Sequence, residues 1–380
     1  MKSTLILLLL FFGSLTIKSQ TATNITSLET PALDENSGLI FYNGNIITHN
    51  DSGDQANLYE ISASTGAIIR TVAITNATNI DWEDIAQDAS YIYIGDIGNN
   101  YGNRTNLRIY KISKVDYNDS DDSAAAEIIS YSYSSQLDFT PNLNNTNWHA
   151  EALISHGDYL LLFSKNWEDN RVNVYSIPKT IGTHSAVLES SYDTNGLITG
   201  ADTSPNENII YLTGYSSSEA PFMYTIHSIP DNSLDIFTGI ISEKISNSVP
   251  LGNQVEAVAL FEITTSKHRL YLSNEKYIAI YGTTTIAFPS QLWFIEIDAV
   301  TLDVQDNTSD ITLNIFPNPF GKTLTLSQKA DEIIIFDLFG RIITKQEFVE
   351  ELSLESLSTG VYIAHLKINN STVIRRLIKK

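Results

Sequence analysis

Three acidic segments stand directly ahead of apolar runs in this chain: "DWEDIA" (81–86), "HAEALI" (149–154) and "VEAVAL" (255–260). Each places one glutamate, Glu83, Glu151 or Glu256, before small and apolar residues, and Glu35 of "DENSGLI" opens the first such run. In the corresponding segment "ITGAD", Thr199 takes the glutamate's place with Asp202 behind it. The runs that follow end in Asp51, Asp96, Lys165 and Glu275. Carboxylates brought together repel unless a cation, a shared proton or a lysine lies among them. A hard cation such as Ca²⁺ takes carboxylate and carbonyl oxygens. Glu35, Glu83, Glu151 and Glu256 are therefore metal candidates, with Asp51, Asp96, Lys165, Asp202 and Glu275 around them. The alternative is that these glutamates accept hydrogen bonds from neighbouring strands and hold the fold together. His149 precedes Glu151 by two residues, on the same side of a strand. The two are candidates for acid–base catalysis, or for a structural pair.

A second acidic stretch, "DYNDSDDSAAAE" (116–127), sets Asp116, Asn118, Ser120, Asp122 and Glu127 at the spacing of a Ca²⁺ loop. Position six is Asp121 where the turn wants glycine, and its flanks read as strands, so a solvated loop is the expectation. Trp82, Trp148, Trp167 and Trp293 suit sugar stacking or sheet cores equally. The sequence has no G-x-S-x-G elbow, H-E-x-x-H, P-loop or G-x-G-x-x-G. Nothing in it supports a serine hydrolase, a zinc protease or a nucleotide enzyme.

The elements that must position these groups are short strands. Helical periodicity is nearly absent, and segments of four to eight residues rich in Ile, Val, Tyr and Leu alternate with Asn, Asp, Gly and Ser turns. They sort into five units of four, beginning at "NSGLIFY", "WEDIA", "AEALIS", "ITGAD" and "VEAVALFEI". The fifth is one strand short, and "TNITSLET" near the N-terminus can supply it. Four strands per unit of about fifty residues predicts an all-β fold, a β-propeller of five blades. The long segment 114–147 leaves room for a sixth, and a β-sandwich is the structural alternative. In a propeller the first strand of each blade lines the central channel, which places the acidic groups around one mouth.

The first nineteen residues carry Lys2 and an unbroken apolar run from Leu5 to Phe12, the pattern of a secretory signal peptide too short to span a bilayer. No later run has eighteen apolar residues, so no transmembrane segment is expected in the mature protein. With no cysteine in the sequence, the exported chain relies on its core, and thiolate catalysis, thiolate metal sites and a lipoprotein anchor are excluded. The formal net charge is −21, and residues 20–309 alone hold 12 basic against 36 acidic side chains. Such a surface repels nucleic acid and anionic membranes.

At "DWEDIA" and "GDIGNN" a resemblance becomes specific. Together with "HAEAL", "FSK", "TGAD", "VEAVA" and "SNE", in this order over 81–275, these segments resemble a family of uncharacterised secreted bacterial propellers. The chain departs from that pattern at His149 and Asn100, each in place of an aspartate, and at "NEK". The resemblance implies fold and export and brings no established activity.

After residue 300 the chain changes character. A linker (301–310) leads into 311–380, where "PNP" (317–319), "DLFGR" (337–341), "LSTGVY" (357–362) and a closing "RRLIKK" resemble the C-terminal sorting domain of the type IX secretion system of Bacteroidetes. Pro317, Asn318, Pro319, Gly340, Arg341, Gly360, Tyr362, Lys379 and Lys380 carry that resemblance. It implies export by the Sec translocon to the periplasm (residues 1–19), passage of the 20–300 domain through the type IX machinery, and an extracellular or outer-membrane destination. The expected domain is a small immunoglobulin-like sandwich of about seven strands. Two functions stay open: a surface binding or scaffold module for an unknown extracellular ligand, with or without Ca²⁺ in the channel, and a Ca²⁺-dependent hydrolase of lactones, phosphoesters or related esters.

Overall fold

The computed structural model describes residues 19–299 and 314–380, apart from positions 207, 231, 243, 282–283, 338–341 and 369–370. Residues 1–18 of the expected signal peptide, the expected linker 301–310, Gly340 and Arg341 lie outside the described residues. The chain separates into two compact units, Met1–Ala299 and Val300–Lys380. Both are built from strands. The described helices are a single turn at Lys114–Tyr117 and a 3-10 turn at Ile236–Thr238, and none is long and apolar enough to cross a membrane.

The first unit holds five strand groups whose inner strands are Asn36–Tyr42, Trp82–Gln87, Ala150–His156, Leu197–Thr203 and Val255–Ile263, the second and third joined at their outer strands into one eight-stranded sheet. We call these groups sheets one to five in that order. Each inner strand pairs antiparallel with the strand that follows it. Side chains alternate across each strand, so every sheet has two apolar faces. Leu161 and Phe163 face sheet four, whereas Leu160 and Leu162 face sheet two. Five buried clusters result. One lies between sheets one and two around Ile40, Trp82 and Tyr110, and the fifth joins sheet five back to sheet one through Ala257, Leu292, Leu39 and Ile46. The inner strands are neighbours in the same cyclic order, and the fifth packs against the first.

Sheet five is completed from the other end of the unit. Ala22–Ser27 pairs antiparallel with Gln291–Asp298, the strand that the sequence left missing. The outer edges are covered as well. Glu127–Tyr133 of sheet two runs parallel to Gly182–Tyr192 of sheet three, Ser123–Ala124 adds to sheet one, and Ser19–Gln20 adds to sheet four. Such pairing blunts edges that would otherwise recruit other chains.

Three expectations change. Segment 114–147 makes no sixth sheet: it supplies the helical turn, the outer strand of sheet two and a loop. "LDIFTGIIS" does not form one outer strand, because Ile236 turns into the core of the 3-10 segment and only Ile240–Ile241 pairs. A hairpin, Tyr277–Tyr281 with Thr284–Phe288, stands between the second and third strands of sheet five.

The second unit is a five-stranded sheet with its own core, which includes Phe320, Leu324, Ile333, Ala364 and Leu377. Among the described residues five strands stand where turn spacing predicted about seven, and "TLTLSQKADEIIIF" is one continuous strand, Thr323–Phe336. Its early half pairs with Ile315–Phe316 and its later half with Gly360–Ile368. The "PNP" segment is fastened to the last strand. Asn318 donates to Arg376 O (2.7 Å) and accepts from Ile378 N (2.9 Å). Lys379 donates to Gly321 O and lies over the Phe320 ring, and Tyr362 Oη donates to Ser358 O.

Candidate functional site at one end of the inner strands

Every inner strand carries a β-bulge at its start. The ladder passes from Trp82 to Asp84, from Ala150 to Ala152, from Ile198 to Gly200 and from Val255 to Ala257. The residues left without a ladder partner are Glu83, Glu151, Thr199 and Glu256. A bulge re-aims a side chain, which gives the recurring glutamate its geometric reason. In sheet one the bulge falls between Asn36 and Leu39, at Ser37 and Gly38. Glu35 therefore precedes the equivalent position by two residues, and it is exposed. Where the bulge residue is a hydroxyl it ties the next sheet: Ser37 Oγ donates to Glu83 O, and Thr199 Oγ1 donates to Val255 O.

Glu151 lies at the centre of the site and is 5% exposed. Both of its oxygens accept from Lys165 Nζ at 2.8 Å, and His149 Nε2 donates to Oε1. His149 is fully buried, and its Nδ1 accepts from Asn99 N at 2.7 Å, which assigns the proton to Nε2. Burial alone would raise the Glu151 pKa, but Lys165 and His149 hold it at about 2. Lys165, also buried, sits 5.1 Å from the ring centroids of Trp167 and Tyr215.

Asp81 Oδ2 lies 3.8 Å from Arg104 Nη1, while Glu83, Asp51, Glu256 and Glu275 are raised by burial and by nearby carboxylates. Burial first, then Asp51, Glu151 and Asp81, push Glu83 well above the ordinary range. Burial and then Asp81 and Glu275 do the same to Asp51. Glu256 is raised by burial and by Glu151, Glu275 and Asp51, and Glu275 reaches about 7 through burial, Glu35 and Glu151. One carboxylate oxygen from each of Asp51, Asp81 and Glu83 lies within 4.8 Å of the other two, and Glu83, His149 and Glu151 form a second such group. The first set is all oxygen and spans no more than two ligands of one Ca²⁺ can, so it fits a hard cation. In the second set Glu151 is already engaged by Lys165. Gly98 completes the first set: a Cβ there would lie 2.1 Å from Glu83 Oε1 and 2.4 Å from Asp81 Oδ2. These acidic clusters could hold a metal ion.

Asp96 stands at the same end, paired in the ladder with Trp82 beside the Glu83 bulge; its Oδ1 accepts from Asp81 N at 3.2 Å and lies 2.7 Å from Arg104 Nη2. Arg104 also donates to Gly98 O at 2.6 Å and so clamps the "GDIGNN" loop. Asp202 stands three residues past the bulge, towards the opposite end of its strand, and accepts from Leu260 N and Thr203 N at 2.7 Å each. Fastening between sheets is carried out mainly by Asp84. Fully buried, it accepts from Ile85 N and Leu153 N at 2.8 Å and from Ala201 N at 3.4 Å, linking sheets two, three and four. Asp81, Asp84, Gly98, Arg104 and Tyr215 escaped sequence reasoning as site residues. Asp81 and Asp84 were visible within "DWED", but composition does not separate their roles.

Arg70 reaches into the loop 116–127, with Nε 2.6 Å from Asp122 Oδ1 and Nη1 donating to Tyr117 O at 2.9 Å. The tryptophans divide between core and site: Trp82 and Trp293 are buried in inter-sheet clusters, Trp148 packs on Tyr133, and Trp167 faces Lys165.

Among solved structures, the chain is similar to one in the crystal structure of a mitotic checkpoint complex, at 9% identity and TM-score 0.35, covering 78% of this chain and 99% of that one. It is also similar to a GH32 β-fructofuranosidase from Bombyx mori, at 9% identity and TM-score 0.37, covering 94% and 87%. At these scores neither likeness bears on function. No curated protein matches the chain. One match is specific: residues 314–380 are a secretion system C-terminal sorting domain, the Por_Secre_tail family, which indicates a protein exported by the type IX machinery to the cell surface or beyond.

Proposed function

We propose that residues 20–299 form a five-bladed propeller that acts outside the cell as a binding module, with Ca²⁺ held at one mouth by Asp51, Asp81 and Glu83. The cyclic order of sheets and clusters supports the propeller. The observation that carries the calcium reading is the gathering of one oxygen each from Asp51, Asp81 and Glu83 within 4.8 Å of one another, with Lys165 spent on Glu151 and Arg104 3.8 Å from Asp81 as the one cation beside the set among the described residues. A bound ion would neutralise them and link sheets one and two. The His149–Glu151 pair favours a binder over a hydrolase, since His149 is sealed at both nitrogens and Glu151 is clamped, so neither is free to accept a proton from substrate.

The test is a calcium titration of the secreted protein by calorimetry. One ion per chain is expected, with binding weakened at least tenfold in Glu83→Gln and in Asp51→Asn. Absence of binding in the unaltered protein overturns the reading. Ester or lactone hydrolysis that requires Ca²⁺ and is lost in Glu151→Gln would replace it with the enzyme.

A further inference from the structure

The inner strands have a second end. Glu83 and Gln87 are four residues apart, which puts the two ends about 13 Å from each other along the strand. At that far end lies a cavity of about 800 Å³ to which all five sheets contribute: Phe41, the turn 87–91, Gly157 with Lys179, the stretch 202–205, and 260–263. The volume is that of a small-molecule site.

Its walls have a definite chemistry. Phe41 and Phe261 lie side by side with ring centroids 5.7 Å apart, tilted at 57°, and Phe261 is stacked on Tyr271 at 4.4 Å and 23°. Tyr91 stands on another wall. The charges that line the cavity are engaged within the protein. Lys179 Nζ is 3.2 Å from Asp88 Oδ2 and donates to Ser155 Oγ at 2.8 Å. Asp88 Oδ1 accepts from Ser90 N and Tyr91 N. Glu262 is 2.7 Å from Arg269 Nη1. Asp202 holds two backbone N–H groups and keeps lone pairs for a further donor. A cationic ligand would meet Lys179, and an anionic one would meet Asp88, Asp202 and Glu262. A neutral ligand leaves the pairs of Lys179, Asp88 and Glu262 undisturbed and meets in Asp202 a carboxyl that burial pushes up to about 7. It needs an apolar face for the aromatic rings and hydroxyl groups for the acceptors around them.

We infer that this cavity binds a neutral polyhydroxylated ring, one glycan residue, stacked on the Phe41–Phe261 platform with a hydroxyl donating to Asp202. The inference is independent of the calcium reading, because the two sites lie at opposite ends of the inner strands.

The test uses the full secreted protein and a panel of hexasaccharides of glucose, xylose, mannose and N-acetylglucosamine, titrated by calorimetry in calcium and again in chelator. At least one neutral oligosaccharide is expected to bind in both conditions, with affinity lowered tenfold or more in Phe261→Ala. Ala89→Trp, on an exposed turn at the cavity wall, fills the space without touching the core and is expected to abolish binding. Three results overturn the inference: no panel member binds at millimolar concentration, binding survives Ala89→Trp unchanged, or spermidine or an oligouronate binds more tightly than every neutral sugar and is lost in Ala89→Trp.

Discussion

Replacing Lys165 by methionine removes the one lysine at the acidic end while keeping most of its apolar volume. Glu151 would then remain buried with His149 as its remaining partner. Lys165 and then His149 hold the Glu151 pKa at about 2 against burial, and breaking a buried ion pair typically costs about 3–5 kcal/mol. For a domain of this size that loss lowers Tm by roughly 5–8 °C. The sign with pH also follows. A carboxylate whose folded pKa is depressed contributes stability that is complete above its unfolded value and is lost as pH falls towards the folded one. The wild-type contribution of Glu151 therefore holds above pH 4.5 and fades towards pH 2. In the variant Glu151 protonates more readily, so its deficit against wild type should be largest at neutral pH and narrow on acidification. Thermal melts from pH 7.5 to pH 4 measure this, and Lys165→Met combined with Glu151→Gln should recover most of the loss. A loss below 1 kcal/mol at pH 7.5, or a deficit independent of pH, would refute the assignment of Lys165 as the partner that keeps Glu151 charged.

Asp84→Asn places an amide N–H₂ against at least one of the backbone N–H groups of Ile85, Leu153 and Ala201. The urea midpoint should fall by the equivalent of about 1–3 kcal/mol, and an unchanged midpoint would deny Asp84 its fastening role. Gly98→Ala drives a methyl group into Glu83 and Asp81 and should remove the thermal response to Ca²⁺ while leaving the far cavity able to bind its sugar. Deleting 314–380 should leave the protein in the periplasm, seen by fractionation; delivery to the surface without the domain would contradict the role of the matched family.

Much of the strand plan was legible because alternation and turn residues act locally. "NSGLIFY", "YIYIG" and "YLLLF" each become a strand within a residue or two of the expected bounds. The missing strand of sheet five was legible for a different reason: a four-stranded unit lacking one member leaves an open edge, and Ala22–Ser27 had the right pattern to close it. The site was harder. Which acidic residue points inward depends on where the bulge falls. "ENSG" and "WED" look equivalent around their glutamates, yet the bulges fall at Ser37–Gly38 and at Glu83. A shift of one or two residues redirects the side chain, so Glu35, exposed and two residues ahead of its bulge, is not the counterpart of Glu83, and Asp81 was overlooked. Asp202 shows the same limit. Its carboxylate faces the opposite end because three residues along a strand span about 10 Å. Gly98 could not be assigned from sequence, since its role is the absence of a Cβ against side chains seventeen and fifteen positions earlier.

The central claim is that Asp51, Asp81 and Glu83 hold a calcium ion. Raised folded pKa values mean that protons occupy such a cluster at mildly acidic pH and leave as the pH rises. Stability is then lost between the unfolded carboxylate range and the raised folded values, with Glu275 at about 7. Calcium should take the protons' place. The most direct measurement is the Tm of the secreted protein at pH 8 and at pH 5, each with millimolar Ca²⁺ and after exhaustive chelation. The account predicts a rise of several degrees with Ca²⁺ at pH 8, a much smaller one at pH 5, and neither in Glu83→Gln. Equal melting with and without calcium at pH 8 would contradict it, leaving the bulged glutamates as a proton-sharing cluster without an ion.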